Sequence, residues 1–204
     1  MGSKTAKLIS ILFHPLLIPT YAILILFNIN SHYMHVLPFK YKLILLVFVF
    51  IFTFLLPAVS MFFMVKLKLV ESIEMHSSRD RSIPLIIVAL FFYATYHIFR
   101  ELPVNTIFTM FMLGATVLVL LSLLINYFFK ISLHMMALGG LLATFIGFSF
   151  LIHQDIRLYI LLIILVTGIT GSARLKLNAH TPSQVYAGFI LGVISMLGIF
   201  YFFI

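Results

Sequence analysis

Seven stretches of this chain, 8–39, 43–65, 82–99, 102–129, 131–154, 158–173 and 177–204, contain no Asp, Glu, Lys or Arg. A helix rises about 1.5 Å per residue, so about 20 apolar residues cross a hydrocarbon layer about 30 Å thick. Six of the stretches meet or approach that length, and 158–173 does so once Arg157 is counted in. A barrel strand would alternate apolar and polar positions, whereas 43–52 is apolar throughout. The pattern predicts an all-α polytopic helical bundle of six to seven transmembrane helices, at about 8–28, 43–65, 83–99, 104–125, 133–152, 157–172 and 183–203. The whole of 1–204 reads as one transmembrane domain, and its longest polar segment, 66–81, is a connector.

Composition closes the other classes. With 63% hydrophobic and 9% charged residues, the chain holds more apolar side chain than a soluble core of 204 residues can hide. It has no cysteine, which removes disulfide scaffolds, zinc–thiolate sites and cysteine nucleophiles. The net charge of +8 is dispersed, so no nucleic-acid partner is expected; anionic lipid headgroups or an anionic substrate match it better. Lys4 and Lys7 precede an apolar run as in a leader peptide, but Pro15 and Pro19 interrupt it, and the run reads as a retained first span.

Seven crossings put the amino terminus and the connectors after spans two, four and six on one face, A. Lys4, Lys7, Lys66, Lys68, Arg79, Arg81, Lys130, Arg174 and Lys176 fall there, against Lys40, Lys42, Arg100 and Arg157 on face B. By the positive-inside rule face A is cytoplasmic, although four of its cations are candidates for ligand binding.

Face A also gathers the polar residues able to do chemistry. Thr181 is a good N-cap, Pro182 suits the first helical position, and Gln184 at the third completes a capping box. The last span therefore starts at Pro182, with His180 at its positive end and Arg174 six residues upstream, a natural place for a phosphate. Ser132 is positioned to cap the fifth span, with His134 in its first turn. Arg79-Asp80-Arg81 precedes the third span, and Lys130 stands just ahead of Ser132. Gly139, Ala143 and Gly147 on span five, Gly168 and Ser172 on six, and Gly188 and Gly192 on seven recur at four-residue spacing that lets helix backbones approach.

These residues resemble the type 2 phosphatidic acid phosphatase superfamily, which removes phosphate through a phosphohistidine. Its third motif, Ser-Arg, five residues, His, three residues, Asp, then Val, two residues and Gly, is similar to Ala173-Arg174, His180, Gln184-Val185 and Gly188. Its second, Pro-Ser-Gly-His, is similar to Ile131-Ser132-Leu133-His134. The first, Lys, six residues, Arg-Pro, aligns with Glu74, Arg81 and Ser82. The resemblance covers about 79–190. It implies His180 as nucleophile, His134 as general acid, Arg174 and Arg81 as phosphate clamps and Ser132 as a further donor, with Lys130 or Arg79 replacing the missing lysine. It also implies a lipid phosphate or polyprenyl diphosphate substrate, no cofactor and no metal, and a bacterial cytoplasmic membrane. The departures are Gln184 where the family has an Asp that orients the nucleophile, and Leu133 where it has Gly.

Other readings stay open. An inactive relative that binds an anionic lipid head would keep the arginines and tolerate Gln184, and a small-molecule transporter would show broken helices or charge at mid-membrane. His14 ahead of Pro15 reads as a helix start with Pro15 and Pro19 as kinks, and secondarily as a lining residue of the same site. His32 and His35 have metal-like spacing without a third ligand.

Overall fold

The computed structural model describes residues 1–29, 37–70, 78–151 and 155–203, with side chains excepted at 78–80 and 203. Its elements are α1 (Ser3–Leu12), a 3₁₀ turn (Pro15–Leu17), α2 (Ile18–Asn28), α3 (Phe39–Phe50), a π turn (Ile51–Leu55) and α4 (Leu56–Lys66). They continue as α5 (Ser78–Glu101), α6 (Thr106–Ile125), α7 (Leu133–Leu151), α8 (Arg157–Lys176) and α9 (Pro182–Phe203), with no strand among the described residues. Among the described residues, seven segments are long and apolar enough to cross a membrane: α1–α2, α3–α4, and each of α5 to α9. The protein is an all-helical membrane bundle.

α7 is the central helix. Glycine, alanine and apolar residues surround it, and from His134 to Phe148 nearly every residue is buried, as expected of a helix with no polar face. α9 runs parallel to it at backbone contact. A Cβ on Gly188 would lie 2.6 Å from the Ser132 carbonyl oxygen, and one on Gly192 would strike the Met136 carbonyl, while Gly139 meets the Phe189 carbonyl and Gly147 the Phe200 ring. The expected small-residue seam is thus present on spans five and seven. On span six the expectation is corrected: Gly168 faces open space and Ser172 is exposed. α8 lies at the periphery with Leu161, Leu162, Ile164 and Leu165 outward, and the glycine that packs is Gly171, against Met135 and Val185.

The first span is bent. His14 has an extended backbone (φ −61°, ψ 138°), and its ring Nδ1 accepts the Leu16 N–H at 3.3 Å to start the 3₁₀ turn. In one straight helix Leu12 and Tyr21 would be about 14 Å apart along the axis. Instead the Tyr21 hydroxyl donates to the Leu12 carbonyl at 2.9 Å, and the Phe13 and Tyr21 rings are 6.3 Å apart. α1 packs on α8, with Met1 beside Ile164, Leu165, Gly168 and Ile169, whereas α2 packs on α3 and α7.

A second irregularity faces the first. The 3₁₀ turn runs into Pro19, which has no N–H for the Leu16 carbonyl, and the fully buried Thr53 of the π turn donates its hydroxyl there at 3.3 Å. Thr53→Val is expected to lower stability by about 1 kcal/mol, the order found for hydrogen bonds between membrane helices, read as an earlier thermal transition in detergent.

Candidate functional site

Two local motifs set the Arg174–His180 spacing. α8 ends in a Schellman turn: Asn178 takes the left-handed conformation (φ 50°), its N–H reaches the Leu175 carbonyl, and the Ala179 N–H reaches the Arg174 carbonyl at 3.2 Å. Asparagine tolerates that conformation better than most residues. Three residues later α9 opens with the expected capping box. The Gln184 N–H approaches Thr181 Oγ1 at 3.4 Å, and Gln184 Oε1 accepts the Thr181 N–H at 3.2 Å. The short link holds His180 between one helix's end and the next helix's start.

The capping box also sets the chemistry of the ring. The Thr181 N–H can only donate, so it is the amide oxygen of Gln184 that faces inward. That oxygen lies 3.0 Å from His180 Nδ1, which must therefore carry the proton. Nε2 is left with the lone pair, the form a nucleophilic imidazole needs. Burial pushes the His180 pKa down to about 4; the charges of Arg174 and Lys130 add to this, and hydrogen bonding to the Gln184 side chain and to the Lys130 backbone opposes it. The fold thus favours the neutral ring, most strongly above the ordinary pKa of 6.5, and loses that preference as the pH falls through about 4. In an NMR titration in detergent, the His180 ring is expected to protonate with a midpoint near 4.

α7 comes to the same place. The Ser132 N–H donates to the Gln184 backbone carbonyl at 3.3 Å, tying the start of α7 to the first turn of α9. The expected Ser132 side-chain cap is not formed: this residue is fully buried and its hydroxyl has no partner. Its backbone carbonyl packs against Gly188. His134, 9% exposed, hydrogen-bonds the Ser10 carbonyl through Nε2 at 3.0 Å. A carbonyl only accepts, so Nε2 carries the proton and Nδ1 the lone pair.

That bond completes the carboxyl end of α1. Its last four carbonyls, which a helix cannot satisfy internally, are taken by the Phe13 N–H (Ile9), His134 (Ser10), the His14 N–H (Ile11) and the Tyr21 hydroxyl (Leu12). In a membrane each orphan would cost several kcal/mol, so the contact has structural weight of its own. The His14 ring then packs edge-on against the His134 ring, centroids 5.6 Å apart. Arg174 lies within electrostatic reach of His14, His134 and His180, and its Nε is buried without a partner, as are the hydroxyls of Ser10 and Thr170.

The structure thus brings together His180, His134, Arg174, Ser132, Gln184 and Lys130. Arg81 starts the third span beside Ser82, whose hydroxyl accepts from Asn126 at 3.3 Å; α5 packs chiefly on α6, α4 and the π turn. The side chain of Arg79, like Glu74, His32, His35 and His153, lies outside the described residues. His14, Ser10 and Thr170 join the site from positions the motif spacing did not reach. A His ahead of Pro at the break of the first span was the signal for His14. Among the described residues no group of three His, Cys, Asp or Glu could hold a metal ion. Surface grooves lie at 155–160 and beside Met1.

No family model matches this chain, and comparison with curated proteins and with solved structures finds no similar one.

Proposed function

We propose that this membrane protein dephosphorylates a lipid phosphate or polyprenyl diphosphate without a metal, through a phosphohistidine. The observation that carries the reading is the orientation of His180: Nδ1–H held by Gln184, Nε2 unprotonated, the amino end of α9 beneath it and Arg174 beside it. Nε2 attacks phosphorus, Arg174, Lys130 and the Ser132 hydroxyl take the charge on the phosphoryl oxygens, and the P–O bond to the lipid breaks. His134 Nδ1 takes the proton carried by the substrate's phosphate monoanion and passes it to the departing oxygen, Nε2–H staying on the Ser10 carbonyl. Water then attacks phosphorus, its proton passing through His134 Nδ1 to a phosphoryl oxygen, and the N–P bond breaks to release orthophosphate and restore neutral His180. A bacterial cytoplasmic membrane is the setting that this chemistry and the family resemblance favour.

The test is phosphate release from a panel of lipid phosphates and diphosphates by purified protein in detergent with chelator. Turnover that vanishes in His180→Ala, with an acid-labile phosphoryl group trapped on the protein, is the expected result. Turnover that survives His180→Ala sinks the mechanism. The commitment of His134 Nε2–H to Ser10 favours one second reading, a pocket that binds an anionic headgroup without chemistry. It predicts binding of the same panel with no turnover.

A further inference from the structure

The bent first span contributes more to the site than the motifs on spans five to seven require. His14 stands at the bend, and its Nδ1 accepts the Leu16 N–H, so the proton of the neutral ring sits on Nε2. That leaves Nε2–H as a fixed donor on the edge of the ring away from its own backbone. The ring packs against His134 and lies within reach of Arg174.

The elements that meet here carry groups with hydrogen bonds to give and none given: the hydroxyls of Ser10, Ser132 and Thr170, and Arg174 Nε, all buried. Ser10 arrives on α1, Ser132 ahead of α7, and Thr170 and Arg174 one turn apart on α8. A buried donor left unpaired keeps its full desolvation cost, and several on separate elements call for a ligand rich in acceptors and free of donors. Of the carboxylates whose side chains are described, Glu101 ends α5 and Asp155 stands just ahead of α8, both at the opposite ends of the spans, and Asp155 is paired with Arg157.

Building on the phosphate reading above, we propose that His14 is a phosphate-binding residue, its Nε2–H donating to an oxygen of the phosphate group that Arg174 holds. The first span is then a wall of the site, and its break at His14 serves both to end α1 and to present the ring.

Two substitutions separate these duties. Asparagine places its amide near the position of Nδ1, so His14→Asn keeps the acceptor for Leu16 and removes the distal donor. Glutamine reaches the position of Nε2, so His14→Gln keeps the distal donor and loses the cap. Binding of inorganic phosphate to the purified full chain, measured by calorimetry in detergent with chelator, is expected to weaken 10-fold or more in His14→Asn and to stay within about 3-fold in His14→Gln, since hydrogen bonds to charged groups are worth about 1.5–3 kcal/mol. The reverse order, equal losses, or no loss in either variant overturns the proposal. Phosphate binding that needs Arg174, tested with Arg174→Gln, yet ignores His14→Asn overturns it while leaving the phosphate site standing. Absence of phosphate binding by the unmodified protein removes both. A parallel titration with a short-chain lipid phosphate identifies the source: tighter, His14-dependent binding supports a lipid headgroup, and His14-dependent binding no tighter than that of inorganic phosphate supports free phosphate.

Discussion

A valine at Gly192 is expected to separate the two helices that frame the site and to cost about 3 kcal/mol, the upper part of the range for overpacking. The added Cβ would strike the Met136 carbonyl and crowd the Gly140 N–H. These are backbone atoms inside a buried helix and have no rotamer to escape into, so α9 has to move away from α7. Movement there is felt 12 Å along the axis at the first turn of α9, where the Gln184 carbonyl meets the Ser132 N–H. Both the thermal transition in detergent and phosphate binding should fall. Gly168→Ala is the control: nothing lies within 4 Å of the new methyl group, and alanine is the better helix former by about 1 kcal/mol. It should leave binding intact and the transition unchanged or slightly raised. Equal damage from both variants would show that the close approach of α9 to α7 is not what Gly192 is needed for.

The same contrast shows what could be read from the chain. The seven spans were legible because charge is excluded from a hydrocarbon layer, and the gaps between charges mark its width. The start of α9 was legible because Thr181, Pro182 and Gln184 interact within one turn. The Arg174–His180 spacing was legible as a motif, and the Schellman turn at Asn178 supplies its physical cause. Parity brought His134 and His180 to one face. Contacts between segments far apart in sequence were not legible. Nothing near Ser10 announces that its carbonyl will accept from a histidine 124 positions later. Four-residue spacing gave the same signal at Gly168 as at Gly192, since spacing shows that a stripe exists but not whether a partner helix faces it. His14 was read mainly as a helix start, which it is; its second face appears only when α7 packs against the bend.

Gln184→Glu is expected to raise the rate of phosphoryl transfer, by about 10- to 100-fold, and to raise the His180 pKa from about 4. Glutamate is isosteric with glutamine, so Oε1 keeps its bonds to the Thr181 N–H and to His180 Nδ1, whereas the aspartate of the family pattern is one methylene shorter and has to pull α9 toward the ring. In a serine protease, replacing the orienting carboxylate by an amide costs about 10⁴, largely because the wrong tautomer forms. That part of the penalty is absent here, because the Thr181 N–H already turns the amide oxygen toward the ring. What a carboxylate adds is negative charge beside a ring that, in the proposed mechanism, becomes cationic as it takes phosphorus, and the smaller gain follows. The sign is the same for protons and for phosphoryl groups: a nearby anion favours the positively charged ring, so the acid limb of the pH–rate profile moves to higher pH as the plateau rises. Glutamate at the third helical position also interacts favourably with the helix dipole, by about 0.5 kcal/mol, so a loss of folding should not mask the result. A raised His180 midpoint by NMR together with an unchanged rate would mean that the ring titrates as described but is not the group that attacks phosphorus.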